Sequence, residues 1–264
     1  MLNRMQMAII KKDIRGITAN RRMFSVLLVV PIVMTVVIPS IFILTVRFAR
    51  QGDMIRLGKL LETANIGALT ANLQNSAIAL ILNYILPVFF LLIPIMASSV
   101  MAASSFVGEK EKSTLETLFY CPLPLKGIFA AKIFASFLLS MAVSFFSFIV
   151  MILVVEMELF ISSGTFAAPD LSWLVVLFLV SPSLSLLAIN LIVRSSAKSQ
   201  SSEESQQRSV FLILPVIMLV VGQFTGIMLL SAWIFLILGV ILAAIALFMF
   251  SGSFGKFKYE TLLR

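Results

Sequence analysis

The residues best placed to do chemistry lie between positions 109 and 118, Glu109-Lys-Glu-Lys-Ser-Thr-Leu-Glu-Thr-Leu. The carboxylates of Glu109, Glu111 and Glu116 alternate with Lys110 and Lys112 and with the hydroxyls of Ser113, Thr114 and Thr117. This set is poorly suited to acid–base catalysis or metal binding. The chain contains no histidine, which removes the commonest general base and the commonest metal ligand together. It has no GxxxxGK[ST] segment, so it does not bind ATP by a P-loop. A concentrated polar segment between two long apolar spans reads instead as a cytoplasm-facing element that could receive force from a separate subunit. Ser113-Thr-Leu-Glu116 is also a capping-box pattern, with Ser113 as N-cap and Glu116 at the third helical position. The short helix it starts must stop before Pro122 and Pro124. Physically, such a helix serves equally as a lever to be pushed and as a well-capped loop.

The elements that hold this segment are apolar. Hydrophobic residues make up 60% of the 264 positions and charged residues 12%, about half the charged share of a soluble domain. Mean hydropathy is +1.09. Runs of about 20 apolar residues read as membrane spans, at Met23–Val46, Ile78–Met101, Lys132–Val155, Ser172–Val193, Ser209–Gly226 and Leu230–Phe250. Only helices and closed barrels satisfy the backbone in lipid. Continuous apolar runs without two-residue alternation select helices. The expected fold class is all-α: a polytopic membrane protein with six transmembrane helices. Gly222, Thr225 and Gly226 mark the turn between the last two.

Of the twenty Lys and Arg residues, sixteen fall in the N-terminal tail, the second and fourth connections and the C-terminal tail. Arg47, Arg50, Arg56 and Lys59 fall in the first connection. The positive-inside rule then places both termini in the cytoplasm. The formal charge of +8 therefore reports topology and lipid headgroups rather than nucleic acid. Within residues 1–22, which do not read as a cleavable signal peptide, Arg4, Lys11, Lys12 and Arg15 share one arc of a helical wheel. Leu2, Met5, Ile9, Ile10, Ile14 and Ile17 cover the other side. That pattern suits an amphipathic interfacial helix on an anionic lipid surface. In the outer connection, apolar residues from Ile55 to Leu73 recur at helical spacing. The single cysteine, Cys121, excludes an intrachain disulfide.

No Asp, Glu, Lys or Arg occupies mid-depth in the predicted spans. A proton-coupled carrier needs such groups. Asn83, Asn190 and Gln223 are candidates for lining a pathway or for bonding between helices, the commoner role. Pro87, Pro94 and Pro182 predict kinks. A carrier or channel working without an ATPase, and a membrane anchor or sensor, both remain compatible with these features.

The stretch from Gly108 to Lys126, continuing to Ala131-Lys132, resembles the signature of ABC-2-type transporter permeases. That signature is a Glu-rich segment, then (Gly/Ser)-Thr-(Leu/Met)-Glu, a proline-containing link, and a Lys opening the third helix. Ser113 stands where Gly is commoner. Ser195–Pro215, with Gln206-Gln207, and the ending Phe257–Leu263 are similar to the same family. The resemblance implies that residues 1–264 form a single ABC-2-type transmembrane domain, with 1–22 as interfacial helix and 102–131 as the cytoplasmic coupling connection. It implies a cell-membrane exporter subunit that binds no cofactor directly and has no catalytic site. ATP and Mg enter through a cytoplasmic P-loop ATPase dimer, and a second permease chain, identical or related, completes the assembly. Glu109, Glu111, Ser113, Thr114, Glu116 and Thr117 would then couple to the ATPase. The short connection between spans five and six departs from relatives with larger outer segments, so the resemblance does not by itself imply a lipid- or polysaccharide-export mechanism.

The charge asymmetry makes the topology testable by cysteine labelling in a Cys121→Ser background. A cysteine replacing Gly164 is expected to react with an impermeant reagent from outside, and one replacing Lys198 only after permeabilisation. Outside labelling at position 198 would overturn the orientation.

Overall fold

The structure, a computed structural model of the protein, describes residues 4–48, 77–79, 81–111, 114, 123–163, 170–196, 199, 201–208, 210–224 and 232–254. Every regular element among them is helical. Helix α1, Arg4–Ala19, precedes the spans. The chain breaks at Asn20, whose side-chain oxygen accepts from the Met23 amide at 3.5 Å. Its backbone carbonyl accepts from Phe24 at 2.9 Å. An asparagine there supplies the acceptor that a new helix lacks at its start. Among the described residues six helices are long and apolar enough to cross a membrane: Met23–Phe48, Ala77–Glu111, Leu125–Ile161, Leu171–Ser196, Ser202–Gln223 and Ala232–Phe250, numbered here spans 1 to 6.

The span ends differ from the hydropathy reading, and the differences bear on function. Span 2 does not stop at Met101 but continues as helix to Glu111. The third helix begins at Leu125, not Lys132, and runs 39 residues to Ser163, about 58 Å at 1.5 Å per residue. Residues 102–111 and 125–131, expected to be connection, are therefore rigid extensions of two spans. Hydropathy marks where lipid ends, but a helix has no reason to stop there if its side chains find partners. Along span 3, Lys132 and Glu156 bracket an uninterrupted uncharged stretch about 34 Å long, close to the hydrocarbon thickness. Gly222, expected at a turn, lies inside the helix Val210–Phe224; Thr225 and Gly226 lie outside the described residues, as do residues 49–76 between spans 1 and 2.

Spans 2 and 4 form the centre. In their apolar windows 65% and 67% of residues are buried, against 17% to 28% in the other spans. Their sequences explain the difference. Ala97, Ser98, Ser99, Ala102 and Ala103 on span 2 and Ser181, Ser183, Ser185 and Ala188 on span 4 are all buried. Small side chains let apolar helices approach closely where lipid offers no hydrophobic drive. Span 3 turns a serine stripe inward, with Ser136, Ser140, Ser144 and Ser147 buried at helical spacing. Gly239 of span 6 is as tight, since a β-carbon there would sit 2.8 Å from the Leu179 side chain.

Three spans contain a π-helical turn: Val33–Val37, Ile81–Ile85 and Val176–Val180. In each case a proline follows two residues later, at Pro39, Pro87 and Pro182. A proline ring collides with the carbonyl four residues back. For these prolines that carbonyl belongs to Thr35, Asn83 and Phe178, all inside the widened turns. Adding one residue to the turn moves the carbonyl away. At Pro94 the helix instead breaks at Leu91, whose amide bonds the Val88 carbonyl at 3.1 Å. The kinks expected at Pro87, Pro94 and Pro182 thus take the form of local turns.

Widening leaves a further requirement. In π register the Leu82 carbonyl would accept from residue 87, but Pro87 has no N–H. The indole of Trp173 on span 4 donates to that carbonyl at 3.1 Å. Trp173 is 2% exposed and packs against Phe90 and Phe148 with ring centroids 5.7 and 5.6 Å away. Trp173→Phe keeps an aromatic ring and strands the carbonyl, so it is expected to cost about 1–3 kcal/mol. In a Pro87→Ala background the restored N–H takes up the carbonyl, and the same substitution is expected to cost less. Thermal unfolding of the four variants in detergent measures this coupling. Equal losses in both backgrounds would dismiss it.

Candidate functional site

A charged cluster joins α1, the end of span 2 and the start of span 3. It begins with the pattern of α1. Ile9, Ile10 and Ile17 recur at helical spacing and are buried. Ile9 and Ile10 pack on Ile128, Ala131 and Ala135 of span 3, with Ile14 and Leu123 at the edge. Asp13 shares that inward face and is 8% exposed. Gln6 donates to the Gly127 carbonyl at 3.4 Å, and a β-carbon at Gly127 would meet the same amide nitrogen at 3.4 Å. Small side chains at 127, 131 and 135 thus let α1 lie close along span 3.

Span 2 contributes Ser105 and Glu109, one helical turn apart, and span 3 contributes Lys132, 3% exposed. The Lys132 ammonium lies 2.9 Å from Glu109 Oε2 and 3.7 Å from Asp13 Oδ2. It donates to the Ser105 carbonyl at 2.5 Å. Glu109 Oε2 has no hydrogen-bond partner among the described residues, so its contact with Lys132 is ionic rather than directional. Ser105 Oγ donates to Asp13 Oδ2 at 2.5 Å. Lys12, more exposed, reaches Glu109 Oε1 at 2.6 Å. Lys132 also lies over the Phe106 ring at 5.6 Å, and that ring stacks on Phe129. Two carboxylates and two ammonium groups thus balance in charge. Burial raises the Asp13 carboxyl above its ordinary range, with the Lys132 charge and the Ser105 hydroxyl pulling the other way.

Around this cluster the sequence candidates separate. Glu109 is 7% exposed and ties helices together through Lys12 and Lys132. Glu111 is exposed, and one of its oxygens accepts from Ser202 Oγ at 2.7 Å. Gly108 leaves room for that contact, since its β-carbon would lie 3.5 Å from Ser202 Oγ. Thr114 is exposed and closes span 2 by donating its amide to the Glu109 carbonyl at 2.9 Å. Ser113, Glu116 and Thr117, and with them the capping box, lie outside the described residues. The polar residues of the spans do not join the cluster. Asn190 is 1% exposed and donates to the Ala246 carbonyl at 3.4 Å, an interhelical bond between spans 4 and 6. Asn83 is half-buried in the π turn before Pro87. Gln223 is 3% exposed with neither amide atom bonded among the described residues.

Sequence reasoning missed Asp13 and Ser105 and placed Lys132 at the mouth of a span. A signal for Asp13 was present, because it lies on the isoleucine arc of α1. A lone acid on an apolar face calls for a buried base.

No curated protein and no solved structure matches the chain. A family model described as ABC-2 family transporter protein matches residues 7–235. That range holds every element of the charged cluster and all the spans up to the start of the sixth. A six-span helical membrane protein matched over most of its length by this model is a multi-pass transport protein, and the chain belongs to the ABC-2 transporter family.

Proposed function

We propose that this chain is the permease subunit of an ATP-driven exporter in the cell membrane. A separate dimeric ABC ATPase docks on the side holding α1, Glu111 and Leu125, and it binds and hydrolyses ATP with Mg. A second permease chain, identical or related, completes the transport unit. The observation that carries this reading is the Lys132 cluster, which ties α1, span 2 and span 3 into one mechanical unit. Span 2 continues as helix through the cluster to Glu111. A push on Glu111, Thr114 and the residues after them therefore acts on the end of a continuous helix, and the cluster passes it to α1 and span 3. Span 2 is also among the most buried spans, so its displacement moves the centre of the bundle. Closure of the ATPases would shift the spans between two packings, the usual form of such transitions. ATP hydrolysis takes place on the partner chain, and no residue of this chain takes a catalytic role.

Two measurements test this. In a reconstituted complex, changing the Walker lysine of the ATPase is expected to abolish export while this protein stays in the membrane. Uphill transport by the permease alone, without nucleotide, would sink the proposal in favour of a secondary carrier. The cluster has its own test. Lys132→Met leaves Glu109 and Asp13 buried without their shared base and is expected to cost about 3–5 kcal/mol of stability. Lys132→Arg keeps the charge and is expected to fold. With its longer, planar head it should retain ATP turnover but transmit less of it to cargo. Export per ATP unchanged in Lys132→Arg and in a Glu111→Ala, Thr114→Ala variant would reduce the cluster to a structural tie.

A further inference from the structure

A furrow of about 260 Å³ runs between spans 1 and 3 on the outside of the bundle. Its walls include Leu28, Pro31 and Thr35 on span 1 and Ala142, Phe146 and Ser147 on span 3. Thr35 and Ser147 are its only hydroxyls, and Thr35 already donates to the Pro31 carbonyl at 2.8 Å. The furrow is open sideways, with Phe146 65% and Leu28 38% exposed along its rim. Its span 1 wall continues a helical stripe. Going back from Thr35 through Pro31, Leu28 and Phe24, the stripe ends at Arg21, the first residue of that helix. Arg21 is exposed, and the ion pairs of the charged cluster join Lys12 and Lys132 to Glu109 and Asp13. Arg21 lies about 10 Å along the axis from Leu28. The exposed faces of Arg4, Lys11 and Arg15 on α1 lie at the same end of the bundle. The furrow is therefore apolar along its length and basic at one end.

We propose that this furrow is a phospholipid site: an anionic lipid of the leaflet on the N-terminal side lays one acyl chain between spans 1 and 3 and sets its phosphate on Arg21. The chemistry of the lining fits a hydrocarbon chain, and the basic end fits an anionic head; the opposite end of the seam, where Ser40 of span 1 contacts Glu158 of span 3, presents a carboxylate instead. A second copy of this chain fits less well. A two-fold pairing across the furrow, with its axis along the bundle, would bring Arg21 against Arg21 and α1 against α1, setting like charges together. The site stands whether or not the chain works with an ATPase.

The test uses the full chain in phosphatidylcholine bilayers carrying a minor fraction of phosphatidylglycerol, with brominated acyl chains on one lipid at a time. Phe146→Trp places a reporter on the rim, and the unsubstituted protein supplies the background of Trp173 and Trp233. Quenching at position 146 is expected to show phosphatidylglycerol enriched about fivefold over its bulk fraction, the worth of one basic side chain at an anionic surface. Arg21→Gln is expected to return it to the bulk fraction, and Ala142→Phe, which fills the furrow, to weaken quenching by either lipid. Quenching that follows bulk composition in the unaltered background, or enrichment that survives Arg21→Gln, would overturn the proposal. So would insensitivity to both brominated lipids together with cross-linking between copies through Phe146→Cys in a Cys121→Ser background, which would give the furrow to a second chain.

Discussion

The placement of the Lys132 ammonium decides how the ends of three helices meet. Taking an ion out of water costs several kcal/mol even after the protein relaxes, and Lys132 is 3% exposed. It is tolerable only because Glu109, Asp13, the Ser105 carbonyl and the Phe106 ring surround it. An apolar residue in its place, with apolar partners, would serve stability as well. What the charges add is register. Spans 2 and 3 are apolar over most of their length, and in lipid such surfaces slide with little penalty. A slip of one helical turn, about 5.4 Å, would pull Lys132 away from Glu109 and leave both ions bare. The cluster therefore sets the one alignment in which α1, span 2 and span 3 can all be buried. Because Asp13 is held above the ordinary carboxylate range, chiefly by burial, the folded chain binds its proton more readily than the unfolded one. Its contribution to stability then falls as pH rises through that window. The neutral acid is the easier of its two forms to bury, and Lys132 is what lets the charged one stay.

The half of the bundle away from this cluster solves a different problem, the satisfaction of backbone groups without water. Proline removes a donor and displaces a carbonyl, and each of three spans absorbs this by widening one turn. The hydroxyls nearby do related work. Ser40 donates to the Val36 carbonyl at 2.7 Å and contacts Glu158 of span 3, while Ser98 donates to the Pro94 carbonyl at 2.6 Å. Trp173 goes further, because it satisfies on another span a carbonyl that no local group can reach. The two halves are thus fixed by different forces: ion pairing where the helices leave the lipid at one end, and backbone repair by side chains toward the other.

This division explains what was legible in the sequence. The six spans could be read because length and hydropathy follow directly from bilayer thickness. Their ends could not, because Glu109 and Glu111 read as solvated loop when taken singly. Their partners lie 97 and 91 positions away, at Lys12 and Ser202. Periodicity alone gives α1 its two faces, and Ile9, Ile10 and Ile17 do lie inward. It says nothing of what lies opposite, which here is span 3. Asn190 bonds between spans, the commoner fate of an amide in a membrane helix. Two of the π turns were foreshadowed by Pro87 and Pro182, but a kink and a widened turn have the same sequence signature. The centrality of spans 2 and 4 was present in their alanines and serines, a signal weaker than hydropathy and carried by pairs of helices rather than by either alone.

The position of α1 connects the Lys132 cluster to the lipid. Its apolar face is taken up by span 3, so what it presents outward is mainly basic. An amphipathic helix lying free on a membrane would keep its isoleucines in the acyl region. Here Ile9, Ile10 and Ile17 are spent on protein contacts, leaving Met5 and Met7, 45% and 54% exposed, as apolar surface at the start of the helix. Its attraction to an anionic surface would then be mostly electrostatic, and so sensitive to salt and headgroup rather than to acyl packing. Span 1 follows α1 after only Asn20, with Arg21 at the junction. Movement of the Lys132 cluster must therefore be shared by α1 and by the base of span 1. A lipid seated at Arg21 would bear on the same joint, because one short break in the chain connects the two.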